Sequence, residues 1–387
     1  MQHLTTPGPT VGVVGGGQLG RMLAEAASPL GVELIVLDPT PNCPASSVAE
    51  NQIVADFDDP DAIMELGKKV DVLTFEIELA SPDLLEKVHN EIGVPVHPDP
   101  DTLRMIQDKY VQKQRLADAD IPVPTFTEVT SQGDLETALD ELGSVMVKAK
   151  EGGYDGRGNV PVESLEEIES ALSVVDQGAM AEEFLDFKRE LSVIGIKGAD
   201  DSRAFPVGEN IHRDEILRET VVPARAPENV LEEARSVALD VLELMDGRGV
   251  FGIELFQTTD DAILVNEIAP RPHNSGHWTI EGAVSSQFEQ HIRAVLGWPL
   301  ASTAQRCPTA MLNLLGDVDK NVPAKLAGVE TLLDSPGVSL HWYGKREARP
   351  LRKLGHITLT ADGSDLDEVN QLLSRGKELR DKTTFIE

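Results

Sequence analysis

The sequence predicts an α/β and α+β multidomain protein that begins with a doubly wound parallel sheet. Three observations carry this expectation. Short apolar runs alternate with helical patterns over the first hundred residues; proline pairs (Pro98 and Pro100, then Pro122 and Pro124) interrupt that alternation; strand patterns dominate beyond about Leu191. Buried parallel strands read as unbroken apolar runs because helices cover both faces of their sheet. The 387 residues suffice for two to four modules, and 41% apolar content supplies their cores. Aromatic residues make up only 4%, so those cores rest on Val, Leu, Ile and Ala.

Val11–Val14 is the first strand and leads into a glycine turn, after which Met22, Leu23, Ala26 and Ala27 recur at helical spacing. Glu33–Asp38 and Val70–Glu76 are further buried strands, with Val94–His97 as another. An amphipathic helix from Asp101 to about Asp118 lies between the proline pairs. A small α+β stretch runs from Pro124 to about Glu183, and the strand-rich part after Leu191 includes Val250–Phe256 and Ala262–Asn266. From about Ala301 the chain is punctuated by Pro and Gly and ends in a helical pattern of Leu366, Val369, Leu372, Leu373 and Leu379. The expected units are 1–100, 101–185, 186–300 and 301–387.

The charge is lopsided: 66 acidic residues against 34 basic ones give −32. Such a surface repels nucleic acid and anionic membranes, which are excluded as partners. The acid is dispersed, as at Asp58, Asp59 and Asp61 or Glu232 and Glu233, so it forms no disordered tail. Dispersed acid suits concentrated salt, where self-repulsion is screened, and marks the chain as a halophilic protein. Cys43 and Cys307 are its two cysteines, which leaves no disulfide framework and no cysteine zinc site. No signal-like or membrane-length apolar run is present, so a soluble cytoplasmic protein is expected.

Gly15-Gly16-Gly17-Gln18-Leu19-Gly20 fits G-x-G-x-x-G after a strand, and Asp38 ends the next strand where a dinucleotide fold places its ribose-binding acid. Amides at a helix start hold any phosphate, however, and the turn could serve helix–sheet packing alone. A second glycine cluster follows the strand Val145–Lys150, as Gly152-Gly153-Tyr154-Asp155-Gly156-Arg157-Gly158. Its backbone can approach a ligand closely, Lys148 can neutralise phosphate charge, and Arg157 can grip an anion bidentately. The alternative is an ordinary hairpin loop with surface lysines.

Glu254 and Glu267 lie on two adjacent strand patterns. With Asp260-Asp261 as a two-residue turn they become cross-strand partners, and facing carboxylates repel. A divalent cation such as Mg²⁺ would relieve that repulsion; otherwise one carboxylate points to solvent.

The run from Asn266 to Thr279 (NEIAPRPHNSGHWT) closely resembles one family, the N5-carboxyaminoimidazole ribonucleotide synthases, ATP-grasp ligases of purine synthesis. GGGQLGRML, Asp108-Lys109 with Gln112-Lys113, GGYDGRG, His341–Lys345 and Arg352–His356 extend the resemblance over nearly the whole chain. It implies a pre-ATP-grasp domain, central ATP-grasp domains and a small, mainly β C-terminal module. The implied reaction joins bicarbonate to the amine of 5-aminoimidazole ribonucleotide, with carboxyphosphate formed from ATP and CO₂ released inside the closed site. By the same resemblance, Lys109, Lys148, the loop Gly153–Asn159, Glu182, Glu183, Phe184, Leu185, Glu190, His212 and Asn266 surround ATP. Glu254 and Glu267 hold Mg²⁺. Gly17, Gln18, Leu19, Glu76, Tyr154, Asp155, Arg157, Arg352 and Lys353 meet the ribonucleotide, which overrides the dinucleotide reading. Arg271, His273 and Asn274 line the bicarbonate region, with Lys353 beside them in the catalytic set.

A homodimer, and a separate mutase that receives the product, are likewise implied. Lys109 stands where relatives often carry Arg, and Ala269 where many ATP-grasp ligases carry Asn. Trp278, His341 and Trp342 are expected to serve packing. Competing functions are another ATP-grasp ligase or formate-dependent transformylase, a dinucleotide-dependent oxidoreductase, and a nucleotide-binding regulatory module. If the dispersed acid is a screening adaptation, turnover rises with salt toward about 1 M KCl; full activity in dilute buffer contradicts it.

Overall fold

The computed structural model describes residues 8–152, 158–361 and 366–386. The first apolar runs become four parallel strands, β1 (Thr10–Val14), β2 (Glu33–Leu37), β3 (Asn51–Ile53) and β4 (Val72–Phe75), in the order β3-β2-β1-β4. Helix α1 (Gln18–Ala27) sets Leu19, Met22 and Leu23 against Val11, Val13 and Val36. On the opposite face α2 (Pro60–Gly67) and α3 (Pro82–Ile92) set Ile63, Leu66, Leu85 and Val88 against Val14, Ile35 and Phe75. Side chains alternate across a strand, so an unbroken apolar run feeds both cores. The expected strand Val94–His97 makes only a bridge between Val96 and Leu73, because Pro95 and Pro98 offer no N–H to a ladder.

The single helix expected over Asp101–Asp118 is two, α4 (Pro100–Gln107) and α5 (Lys109–Asp118). Asp108 breaks it. Its extended backbone lets the carboxylate accept from the Tyr110 and Val111 amides as an N-cap. Lys109 thereby becomes the first residue of a redirected helix.

A small antiparallel sheet follows, made of β5 (Phe126–Val129), β6 (Val145–Ala149), β7 (Asn159–Val162) and β8 (Ala179–Glu183) in the order β5-β8-β6-β7. Helices α6 (Gln132–Leu142) and α7 (Ile168–Val175) fill its core with Leu135, Ala138, Ile168 and Ala171. The larger sheet uses β9 (Phe187–Lys197), β10 (Ser202–Ala204), β11 (Gly208–Arg213), β12 (Ile216–Val222), β13 (Gly249–Thr258), β14 (Ile263–Ala269) and β15 (Thr309–Leu315). Its order is β14-β13-β9-β11-β12-β15, and it continues into the strands Lys353–Thr360 and Val338–Trp342. One sheet therefore crosses position 300. Buried Glu219 on β12 also binds Arg380 at 2.7 Å, which fastens the C-terminal helix Leu366–Arg380 to that sheet.

Helix α8 (Glu228–Leu244) was absent from the sequence-based expectation of a strand-rich segment. Its signal is present, since Val230, Ala234, Val237, Ala238 and Val241 are spaced as one helical face and pack on Leu191, Phe251 and Ile253.

Helix Gln287–Val295 joins the N-terminal sheet to the large one. Phe288, Ile292 and Val295 enter the α1 core. The Val250 amide donates to His291 Nδ1 at 3.1 Å, so the proton sits on Nε2 and is donated to Thr74 Oγ1 at 2.9 Å. Burial lowers the His291 pKa to about 3, which keeps the ring neutral. His291→Phe should strand the Thr74 hydroxyl and the Val250 amide and cost about 2–4 kcal/mol, measured by urea unfolding of the ligand-free protein.

Candidate active site

Glu254 on β13 and Glu267 on β14 are direct cross-strand partners, by a route the sequence did not anticipate. The connecting loop has three residues rather than two. Thr258 N donates to Ala262 O at 3.0 Å, and Asp261 sits in the left-handed region at φ 72°. That loop alone would set Glu254 opposite Asn266. A bulge intervenes: Leu255 pairs with Val265 while Glu254 pairs with Glu267, leaving Asn266 as the extra residue. Loop and bulge cancel. The bulge also turns two successive side chains, Asn266 and Glu267, into one cavity, where strict alternation would send one away.

Burial, together with the Glu267 charge, pushes the Glu254 carboxyl up to about 7. Glu267 goes the other way, to about 2, chiefly because Lys109 lies 3.2 Å from it. Lys148, at the end of β6, donates to Glu182 at 2.7 Å and to Asn266 Oδ1 at 3.2 Å. Lys113 reaches the other Glu182 oxygen at 2.9 Å. Burial favours a protonated Glu182, but the two lysines outweigh it and hold the carboxyl below its usual range. Burial likewise works against a charged His212, yet Glu190 at 2.6 Å keeps the ring above its usual range.

These groups open on a cavity of about 270 Å³ between the small and large sheets. Lys109, Lys148, Asn159, Glu182, Glu183, Phe184, Leu185, Glu190, His212 and Asn266 line it, as do Glu254, Glu267, His273, Asn274 and Lys353. Gly153, Tyr154, Asp155, Gly156 and Arg157 lie outside the described residues. Gly158 sits at φ 88°, and its carbonyl accepts from Ala149 N at 2.9 Å. Met146, Phe187, Leu217 and Phe256 give the cavity apolar walls that sequence reasoning missed, Phe187 stacking on Phe256 at 4.7 Å. Nothing in their spacing separates a cavity wall from ordinary core.

Two side chains here have unspent polar groups. Both amide atoms of Asn274 are buried without a hydrogen-bond partner, and so is Arg271 Nε. Buried polar atoms are rarely left so, and the pattern is that of a binding site for a polar ligand. Gln287, also missed, holds the neighbouring backbone: its Oε1 accepts from His273 N at 2.9 Å and its Nε2 donates to His273 O at 2.7 Å. Burial, with Arg271 and Lys353, lowers His273 to about 3.

Gly17, Gln18, Leu19, Glu76, Arg271 and Arg352 are not among the cavity's lining residues. The glycine turn faces protein carboxylates. Gly16 N donates to Asp38 at 3.0 Å and Gly17 N to Glu76 at 2.5 Å. A Cβ on Gly15 would stand 2.6 Å from Glu76 Cγ. Asp38 is thus turned onto Gly16 and the Thr40 amide rather than outward to a ribose. Gln18 and Leu19 open α1 without a side-chain cap. Burial raises Glu76 to about 7. Arg271, paired with Glu78 at 3.0 Å, acts electrostatically on both Glu76 and His273 and so links turn and cavity. Arg352 donates to the Glu347 carbonyl at 2.9 Å. Trp278 packs edge-on against Phe205, His341 stacks on His356, and Trp342 stacks on Phe385.

A cavity between a small lid sheet and a large sheet, floored by facing glutamates, defines an ATP-grasp ligase, and residues 114–288 match the ATP-grasp domain. Residues 9–107 match the ribonucleotide synthetase preATP-grasp domain, and 309–371 the phosphoribosylaminoimidazole carboxylase C-terminal domain. The N5-carboxyaminoimidazole ribonucleotide synthase of Brucella melitensis is 42% identical over 91% of this chain and 96% of its own length. The phosphoribosylaminoimidazole carboxylase of Schizosaccharomyces pombe is also 42% identical over 91% of this chain, which spans 65% of that longer protein. The crystal structure of the Thermotoga maritima synthetase superposes with a TM-score of 0.88 at 40% identity, covering 98% of this chain and 99% of that one. An Aspergillus clavatus synthase in complex with ADP and 5-aminoimidazole ribonucleotide gives 0.89 at 36% identity, covering 98% and 100%. The chain belongs to the N5-carboxyaminoimidazole ribonucleotide synthase family.

The raised Glu254 pKa has a consequence for stability. The folded protein keeps this proton to higher pH than the unfolded chain, so its contribution is whole below 4.5 and is lost as pH rises through about 7. Glu254→Gln should therefore stabilise the chelator-treated protein at pH 8, by roughly 2–3 kcal/mol, and much less at pH 5. Urea melts at the two pH values check this.

Proposed function

We propose that the chain carboxylates 5-aminoimidazole ribonucleotide with bicarbonate, consuming ATP and giving N5-carboxyaminoimidazole ribonucleotide, ADP and phosphate, in purine synthesis. The observation that carries the reading is the facing pair Glu254 and Glu267, in one cavity with Lys148, Lys109 and the unpartnered Asn274 amide.

In this reading adenine lies against Met146, Phe187, Leu217 and Phe256, with Glu182–Leu185 along its edge. Lys148, Lys109, Glu190 and His212 border the sugar and phosphates, and the loop Gly153–Asn159 covers them. The carboxylate pair fits Mg²⁺: hard oxygens come from the same face of neighbouring strands in a cleft open enough to admit an ion, and each raises the cost of the other's charge. Glu254 and Glu267 would hold the ion, which when bound offsets charge on the phosphoryl oxygens.

The γ-phosphoryl group passes to a bicarbonate oxygen, releasing ADP and forming carboxyphosphate. Arg271, His273, Asn274 and Lys353 orient it. Its carbon–oxygen bond then breaks to leave phosphate and CO₂ inside a site closed to water. The exocyclic amine of the ribonucleotide, held by Gly17, Gln18, Leu19, Arg352 and Lys353 with the loop residues Tyr154, Asp155 and Arg157, forms the new nitrogen–carbon bond. Glu76, raised to about 7, takes the released proton, since a base works best when its pKa lies near the working pH.

The proposal extends to a homodimer, a cytoplasmic location and a separate mutase acting on the product. No described helix is long and apolar enough to cross a membrane.

Incubation with ATP, Mg²⁺, ¹³C-bicarbonate and the ribonucleotide should release phosphate and yield a product one labelled carboxyl heavier by mass. Phosphate release indifferent to omission of the ribonucleotide contradicts the substrate. Glu267→Gln should stay folded and lose about 100-fold or more in kcat; near-normal turnover removes its role.

A further inference from the structure

We infer that Gln112 and Lys113, successive residues of α5, are positioning residues that hold the β14 bulge in register and thereby set the cation affinity of the site. The inference rests on the reading that Glu254 and Glu267 hold a divalent cation.

β14 is the edge strand of the large sheet, so its outward backbone groups need partners beyond the ladder, and a bulge changes which groups face outward. The Val265 N–H donates to Pro122 O at 2.8 Å, and two further flanking groups are met by α5. Lys113 Nζ donates to Val265 O at 2.7 Å, and Gln112 Oε1 accepts from Ile268 N at 3.2 Å. Val265 and Ile268 directly flank the bulged pair Asn266 and Glu267. Gln112 is 3% exposed and Lys113 1%, and neither lines the cavity; Gln112 reaches a bound ligand through β14, Lys113 through β14 and through Glu182.

The alternative register shows what the clamp prevents. Without the bulge, the three-residue loop would place Asn266 opposite Glu254 and turn Glu267 to the other face of the sheet. Repulsion between the two glutamates favours that slip whenever no cation is bound. The Gln112 bond opposes it directly, because the slip would re-pair Ile268, while the Lys113 bond anchors Val265, whose partner Leu255 is the same in either register.

Lys113 also closes a ring around the bulge. It pairs with Glu182 of the small sheet at 2.9 Å; Glu182 binds Lys148, and Lys148 reaches Asn266 at 3.2 Å. A buried ammonium is costly unless it is paired and hydrogen-bonded. A leucine would fill a purely packing position without that cost. The ammonium contacts both sheets at the height of the metal candidates, which is where a device that sets register belongs.

The test uses the full chain and Mn²⁺ as the probe. Mn²⁺ affinity is measured by electron paramagnetic resonance with ADP present, and ADP affinity without metal by calorimetry. Lys113→Met and Gln112→Leu keep side-chain bulk and remove the hydrogen bonds. Gln112→Leu is expected to weaken Mn²⁺ binding about 10-fold or more while shifting metal-free ADP binding by less than about threefold, and Lys113→Met, which also removes a partner of Glu182, to weaken both. If Lys113→Met does not fold, Gln112→Leu decides alone. Unchanged Mn²⁺ affinity in the folded variants, or equal losses for Mn²⁺ and ADP in Gln112→Leu, overturns the clamp. Glu267→Gln separates the two claims: if it too binds Mn²⁺ normally, the carboxylate-pair reading fails beneath it.

Discussion

Two glutamates facing each other from neighbouring strands are an unfavourable pair, and much of the surrounding structure answers to them. Lys109 draws Glu267 into the charged state, while Glu254 is left holding a proton to about 7. Lys109 can do this because Asp108 ends one helix and caps the next, which starts α5 at the site. The same helix supplies Gln112 and Lys113 to the backbone of β14. A local electrostatic penalty is thus maintained by a broken helix, a bulge and a buried lysine. Penalties of this kind persist where function requires them and the surrounding fold over-determines the geometry.

The exterior is strongly acidic, whereas the cleft sets lysines beside glutamates. A chain of net charge −32 meets anionic ligands with a repulsive field. Around the cavity and its approach, however, stand Lys109, Lys113, Lys148, Arg271 and Lys353. Charges farther apart than about 10 Å in 0.1 M salt are largely screened from each other. The field a ligand meets is then set by the groups of the cleft, where these cations are interleaved with Glu182, Glu190, Glu254 and Glu267.

The glycine-rich turn shows how a motif can be satisfied for a different reason. Its glycines admit the Glu76 and Asp38 carboxylates against the backbone, and two of its amides bind those carboxylates. The geometry that lets a phosphate approach also lets a carboxylate approach. G-x-G-x-x-G therefore reports close access to a helix start without naming the visitor.

The N-terminal parallel sheet was legible because its strands are continuous apolar runs, and the glutamate pair because both residues sit in strand patterns around an acidic turn. The long APRPHNSGHWT run carried the family. The break at Asp108 was less visible, since no glycine or proline marks it between Asp101 and Asp118. Helix α8 was hidden among strands although its apolar spacing was there to be counted. Chain composition and local spacing were enough to decide which residues carry charge and where the first strands lie, and the motif resemblance decided the family. The tertiary structure alone decided that a longer loop and a bulge cancel, and that side chains 152 and 156 residues away hold the result in place. Register depends on partners brought together by folding, and such partners leave no periodic trace along the chain.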